Sequence, residues 1–81
     1  MNYRDYIIEQ VFKIAHRRNT ELILAQLNEH TPLYQQGIGM DSLDIAELAV
    51  LLEKTYGREP FSQGLRVHTI GELIDFYQSN S

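Results

Sequence analysis

The chain has 81 residues, enough for one small domain, expected over residues 1–81, and too few for a second. Its composition, with 43% hydrophobic and 22% charged residues and only two prolines, is that of a folded globular protein rather than a disordered one. Because the chain contains no cysteine, its own side chains supply no disulfide, no thiolate metal site and no catalytic thiol.

The charge pattern argues against nucleic acid as a partner. The formal net charge is −4, and apart from the pair Arg17 and Arg18 the basic residues are scattered. The opening residues MNYRDYIIEQ lack the apolar core of a secretory signal, and no apolar run approaches the ~20 residues of a membrane span. We therefore expect a cytoplasmic monomer without a membrane span, whose partners present basic surfaces.

The first predicted helix runs from Tyr3 to about Arg18, with apolar residues spaced to line one face. That face comprises Ile7, Ile8, Val11, Phe12 and Ala15. A long connection follows, with one or two helical turns expected near residues 21–28. Four apolar residues in it are expected to pack across the bundle, namely Leu22, Ile23, Leu24 and Leu27.

The second helix is predicted from Ser42 to about Tyr56. Asp41 is the candidate N-cap, because its carboxylate can accept hydrogen bonds from the free N–H groups of the first turn. Gly57 suits the end of the helix, since glycine adopts the left-handed conformation at little cost. The core-facing stripe of this helix comprises Ile45, Leu48, Ala49, Leu52 and Tyr56.

The last helix is predicted to begin at Thr69, where Thr69 and Glu72 have the spacing of a capping box. Pro60 precedes it and favours an irregular stretch with a short helical turn. No segment alternates with a period of two, so no strand is predicted. The fold class is therefore all-α, a small bundle of three main helices plus one or two short ones, the last helix being apolar at Leu73, Ile74, Phe76 and Tyr77.

The second helix carries an additional apolar line on another side, formed by Leu43, Ala46 and Val50. A helix that is apolar on more than one face is either deeply buried or uses the extra face for a partner. Three acids edge this line, Asp44, Glu47 and Glu53. A bundle this small cannot easily cover the helix all round, so we favour a docking surface for basic partners over extra core packing.

Ser42 stands at the start of this helix, where unpaired N–H groups point outward and favour a phosphate. From position alone, the serine is either part of the cap or an attachment point. A hydrolytic role is not expected, because the chain has no Gly-x-Ser-x-Gly elbow. Nor is a metal site, since the histidines are spread without ligand spacing at His16, His30 and His68.

One longer pattern settles how Ser42 is interpreted. The stretch GMDSLDIAELAVLLEKTYG, preceded by TPLYQQG and followed by HTIGELIDFY, resembles an acyl carrier protein in order and spacing from about Thr31 to Tyr77. The resemblance implies an acyl-carrier-like helical bundle that is not itself an enzyme. It also implies that Ser42 carries 4′-phosphopantetheine, whose thiol holds acyl intermediates as thioesters, and this supplies the thiol that a chain without cysteine lacks.

The resemblance also assigns roles around Ser42. It implies that Asp41, Leu43 and Asp44 help a phosphopantetheinyl transferase to recognise the site. It further implies that Glu47, Val50 and Glu53 present the helix to synthase partners, that is, acyl-loading, ketosynthase and acyl-transfer enzymes. The apolar line through Ala46, inferred from periodicity, lies on the same side.

Further features of the sequence bear on the pathway and the cargo class. Lys54 stands where carriers of fatty acid synthesis often have another acid. The loop before the second helix, TPLYQQGIGMDSLD, resembles more closely the loops of polyketide or aryl polyene type carriers. A peptidyl carrier more often lacks the acid at Asp41, and a D-alanyl carrier is a further alternative. A different class of protein is an unmodified helical interaction module, in which Ser42 is only a cap.

Overall fold

The computed structural model describes residues 3–78, which form three α-helices joined by two long connections. Within this range there is no strand, only an isolated antiparallel bridge between Pro32 and Thr69. The predicted all-α fold is confirmed. None of the helices described is long and apolar enough to cross a lipid bilayer. The helices are α1 (Tyr3–Arg18), α2 (Ser42–Tyr56) and α3 (Ile70–Gln78), and each connection contains one 3-10 turn, at Leu24–Gln26 and at Phe61–Gln63.

Helix α1 packs against both other helices and occupies the predicted span. Asp5 in its first turn and Arg17 and Arg18 in its last turn complement the helix dipole. Phe12, expected on the core face, is only half-buried and stacks on the His16 ring. The residues that α1 buries are Ile7, Ile8, Gln10, Val11, Ile14 and Ala15.

Both ends of α2 are set by the residues predicted for them. The side chain of Asp41 accepts a hydrogen bond of 2.9 Å from the backbone N–H of Asp44. Gly57 takes the left-handed conformation with φ of 83°, and its N–H donates to the Glu53 carbonyl at 2.7 Å. Between these caps, Leu48 and Leu52 are fully buried and fix the core-facing stripe.

Helix α3 begins at Ile70, one residue after the predicted start. Thr69 is its cap residue, because its hydroxyl accepts from the Glu72 N–H at 3.1 Å. The return bond departs from the expected capping box, since the Glu72 carboxylate accepts from the N–H of His68 rather than that of Thr69. The backbone on either side of Thr69 is paired with the first connection, which places His68 within reach of Glu72.

The first connection contributes to the core, but less uniformly than its composition suggests. Leu22 and Leu27 are buried as predicted. The prediction is wrong for Ile23 and Leu24, which are 56% and 46% exposed. The two buried leucines flank the short turn at Leu24–Gln26, and none of the residues within that turn is buried.

Candidate functional site

Ser42 is the first residue of α2, and it is exposed. Asp41 precedes it in extended conformation, as an N-cap residue should. The hydroxyl of Ser42 therefore projects from the end of a helix whose first N–H groups lack intrahelical partners. The site combines an accessible oxygen with a backbone that the cap holds in place.

The two acids flanking Ser42 bond each other's backbone. Asp41 accepts from the Asp44 N–H, and the Asp44 carboxylate accepts in return from the Asp41 N–H at 3.2 Å. The pKa of Asp41 is lowered, first by this hydrogen bond from the Asp44 N–H and then by the charge of Arg18. Asp44 is only 7% exposed, so its carboxylate has little surface to offer a partner directly.

Two arginines at the end of α1 reach across to these acids. Arg18 lies 2.9 Å from the Asp41 carboxylate and 3.3 Å from that of Asp44. Arg17 pairs with Glu47 at 2.6 Å. The sequence shows that the two arginines are adjacent. It does not show that they pair with acids of α2 that lie 26 to 30 residues further along the chain. Much of the negative charge around Ser42 is thus paired within the chain.

The second apolar line of α2 faces outward in the structure. Leu43 is 76% exposed and Val50 is 56% exposed, and Ala46 between them is exposed as well. Glu47 and Glu53 beside this line are also exposed. Extra core packing therefore does not explain these apolar residues. We call Leu43, Ala46, Glu47, Val50 and Glu53 the docking face.

A cavity of about 550 Å³ opens beside Ser42, between the end of the first connection and the start of α2. Sequence reasoning did not place a cavity here, because its walls come from the turn at residues 34–36, which has no periodic pattern to interpret. Its volume lies in the range of roughly 300–1,000 Å³ that is typical of small-molecule sites. The lining residues are Tyr34, Gln35, Gln36, Met40, Asp41, Ser42 and Ile45.

The segment that forms this wall is closed by short backbone hydrogen bonds. The N–H groups of Gly37 and Gly39 both donate to the Tyr34 carbonyl at 2.9 Å. The Met40 N–H donates to the Leu33 carbonyl at 2.9 Å, and the Leu33 N–H donates to the backbone carbonyl of His68 at 2.8 Å. The loop leading to Ser42 is thus anchored both to itself and to the residues before α3.

Gly37 allows a close backbone approach within this loop, and we expect Gly37→Ala to destabilise the protein. A Cβ at this position would lie 2.0 Å from the Pro32 carbonyl oxygen, so the backbone must move to admit it. Overpacking of this kind costs typically about 1–3 kcal/mol. Urea unfolding followed by circular dichroism measures the loss.

Gly57→Ala is the matched control for this substitution. Its Cβ would meet nothing within 4 Å, but its φ of +83° disfavours alanine, at about 1 kcal/mol. If Gly37→Ala proved neutral or stabilising, the close approach to Pro32 would be wrong, because Gly37 is not among the glycines of positive φ and alanine would then be tolerated.

Over residues 3–78, no group of three or more His, Cys, Asp or Glu side chains is arranged to hold a metal ion. His16 lies in the last turn of α1, and its Nδ1 is 3.1 Å from the Leu22 carbonyl oxygen. His68 contacts the edge of the Tyr34 ring. The cavity beside Ser42 is lined by Asp41 but by neither of these histidines.

Comparison with known protein families identifies a match that covers most of the chain. The family described as "Phosphopantetheine attachment site" matches residues 7–77. The matched span runs from Ile7 in α1 to Tyr77 in α3 and includes all of α2, both arginines and every residue that lines the cavity. No solved structure matches the chain significantly.

Proposed function

The chain belongs to the phosphopantetheine attachment-site family, and from that premise we propose that Ser42 is the residue that bears the prosthetic group. Members of this family carry 4′-phosphopantetheine and are carriers rather than catalysts, so the chain is a carrier protein and not an enzyme. One observation supports Ser42 above all: it is an exposed serine at a capped helix start that also lines a cavity. Ser62, the other serine in the described range, has its hydroxyl bonded to the Glu59 carboxylate.

The residues around Ser42 fit a phosphodiester and its arm. A phosphodiester there adds a negative charge beside Asp41 and Asp44, and exposed charges about 4 Å apart in water interact by about 1 kcal/mol. Arg18 offsets this repulsion because it already pairs with both carboxylates. The bound group supplies a terminal thiol on a long flexible arm, to which acyl groups are linked as thioesters.

We assign the surroundings of Ser42 to two kinds of partner. Asp41 and Leu43 are exposed next to the serine and are proposed to contact the phosphopantetheinyl transferase. Asp44 acts there through the cap and through Arg18, since it is nearly buried. The docking face, with Ala46, Glu47, Val50 and Glu53, then meets the enzymes that load, extend or remove the cargo.

The proposed cargo is an acyl intermediate of fatty acid, polyketide or aryl polyene type biosynthesis. Its enzymes would be acyl-loading, ketosynthase and acyl-transfer enzymes. The acid at Asp41 supports an acyl carrier over a peptidyl carrier, and a D-alanyl carrier is the remaining alternative. Intact mass of the modified protein after incubation with acyl- or aminoacyl-activating enzymes distinguishes these cargo classes.

The proposed function is tested by intact mass after incubation with coenzyme A, magnesium and a broad-specificity phosphopantetheinyl transferase. We expect a gain of one phosphopantetheine group on the folded protein. A folded protein that gains no mass would contradict the assignment of Ser42 and favour an unmodified helical interaction module.

On the phosphopantetheine-modified protein, Glu47→Lys is expected to lower kcat/KM for acyl loading by a partner enzyme by several-fold at low salt. Glu47 is the acid of the docking face that pairs with Arg17, and a lysine there would repel both that arginine and a basic partner surface. Complementary charge chiefly raises the association rate, so the defect should shrink as salt is added. Initial rates of acyl loading at two salt concentrations measure the effect.

Glu9→Lys provides the matched control, because it makes the same change of charge on an exposed residue of α1. Its rate should stay within about two-fold of the parent, since Glu9 lies on α1 and is not part of the docking face. Equal rates for Glu47→Lys and Glu9→Lys would show that the acids of α2 do not guide docking.

A further inference from the structure

The cavity beside Ser42 has a chemical character that selects its occupant. We propose that it binds the pantetheine arm, with the carboxamides of Gln35 and Gln36 pairing with the amide groups of the arm. This inference rests on the proposed attachment at Ser42. We call the cavity the arm groove, defined by Tyr34, Gln35, Gln36, Met40, Asp41, Ser42 and Ile45.

Position is the first argument for this occupant. Ser42 is itself a wall of the arm groove, so a group attached to its hydroxyl begins at the groove and not at a distance from it. The volume of about 550 Å³ is sufficient for a small-molecule ligand. An attached ligand also avoids most of the translational entropy that a free ligand loses on binding.

The lining matches a molecule that alternates apolar and amide groups. The apolar part of the lining comes from Tyr34, Met40 and Ile45. Met40 is nearly fully buried at the base of the loop, Ile45 is half-buried and Tyr34 is exposed. Gln35 and Gln36 are exposed and offer carboxamides, each with donors and an acceptor. Pantetheine has two amides, a hydroxyl and a carbon bearing two methyl groups, and can therefore satisfy both kinds of surface.

A hydrocarbon cargo fits the arm groove less well. A pure acyl chain would offer no hydrogen bonds to the carboxamides of Gln35 and Gln36, whereas the amides of the arm can pair with them. Apolar side chains of the bundle suit a hydrocarbon chain better, namely those of Phe12, Leu48, Leu52, Ile70 and Ile74. In the structure the last four are buried to between 0 and 3% exposure, and none of the five lines the arm groove.

The arm groove is also held in its shape without a ligand. The carbonyl of Tyr34 accepts from two backbone N–H groups of the following loop, and Met40 is tied to Leu33. The ring of Tyr34 packs edge-on against His68, with centroids 6.4 Å apart. Because the wall is preformed, the arm does not have to order the loop when it binds, and a preorganised site retains more of its binding energy.

Nuclear magnetic resonance of the isotopically labelled protein tests the inference, once intact mass confirms that one phosphopantetheine has been added. We expect nuclear Overhauser cross-peaks, which report short distances between protons, between the two methyl groups of the arm and the side chains of Met40 and Ile45. We also expect the side-chain amide signals of Gln35 and Gln36 to shift on modification. Both observations use the parent protein and need no variant.

The double variant Gln35→Ala/Gln36→Ala should still gain one phosphopantetheine but should lose most of the cross-peak intensity. Gln63→Ala, which removes an exposed carboxamide from the second 3-10 turn, is the control and should keep the cross-peaks. Signal changes confined to residues 41–43 would overturn the inference, and so would contacts that appear only when an acyl chain is attached. A protein that gains no mass would overturn the assignment of Ser42, and the inference with it.

Discussion

Ser42→Ala is expected to abolish the gain of one phosphopantetheine while leaving the fold intact. Attachment requires a side-chain oxygen, and alanine has none, so the effect is complete rather than partial. The cap does not depend on this hydroxyl, since the Asp41 carboxylate accepts from the Asp44 N–H. The loss of stability should therefore be at most about 0.5–1 kcal/mol. Intact mass and thermal unfolding of the same sample measure both results.

Ser62→Ala is the control, because it removes the hydroxyl of the other described serine and should leave the mass gain unchanged. Ser62 lies in the second 3-10 turn, where its hydroxyl and N–H both bond to Glu59. Modification of Ser42→Ala, or its loss in Ser62→Ala, would contradict the assignment. If the folded parent gained no mass, the exposed line of Leu43, Ala46 and Val50 would instead favour docking of a partner helix.

The helices could be predicted from the sequence because capping residues close to each end determine where α2 and α3 begin and where α2 ends. Asp41 and Gly57 act on groups within four residues of themselves, and Thr69 caps a turn that ends three residues later. Such contacts follow from residue type and spacing alone. The exposure of Leu43 and Val50 could be anticipated for a similar reason, since helical periodicity places them away from Leu48 and Leu52.

The rest of the site depends on contacts between distant segments. Arg17 and Arg18 are recognisable as a basic pair, but their acids are 23 or more residues away, and no periodicity links the two. The exposure of Ile23 and Leu24 was missed because composition does not reveal which side of an irregular turn faces the core. The arm groove was missed for the same reason, as its wall is the turn that contains Tyr34.

Leu48→Ala is expected to destabilise the protein by about 2–5 kcal/mol. Leu48 is fully buried on the core-facing stripe of α2, so truncation removes buried apolar surface and leaves a cavity in the bundle. Folded domains are stable by only roughly 5–15 kcal/mol, and a chain this short lies toward the lower end. The substitution therefore removes a large part of the free energy of unfolding. The shift in the midpoint of urea unfolding measures this loss.

Leu43→Ala makes the same chemical change on the same helix and separates core packing from docking. Leu43 is 76% exposed, so its truncation should alter stability by no more than about 0.5 kcal/mol. Because Leu43 is proposed to contact the transferase, Leu43→Ala should lower kcat/KM for modification. Leu48→Ala should lower it only in proportion to the fraction of the protein that is unfolded. Equal losses of stability in the two variants would mean that Leu48 does not pack in the core. An unchanged rate of modification for Leu43→Ala would contradict the proposed contact of that leucine with the transferase.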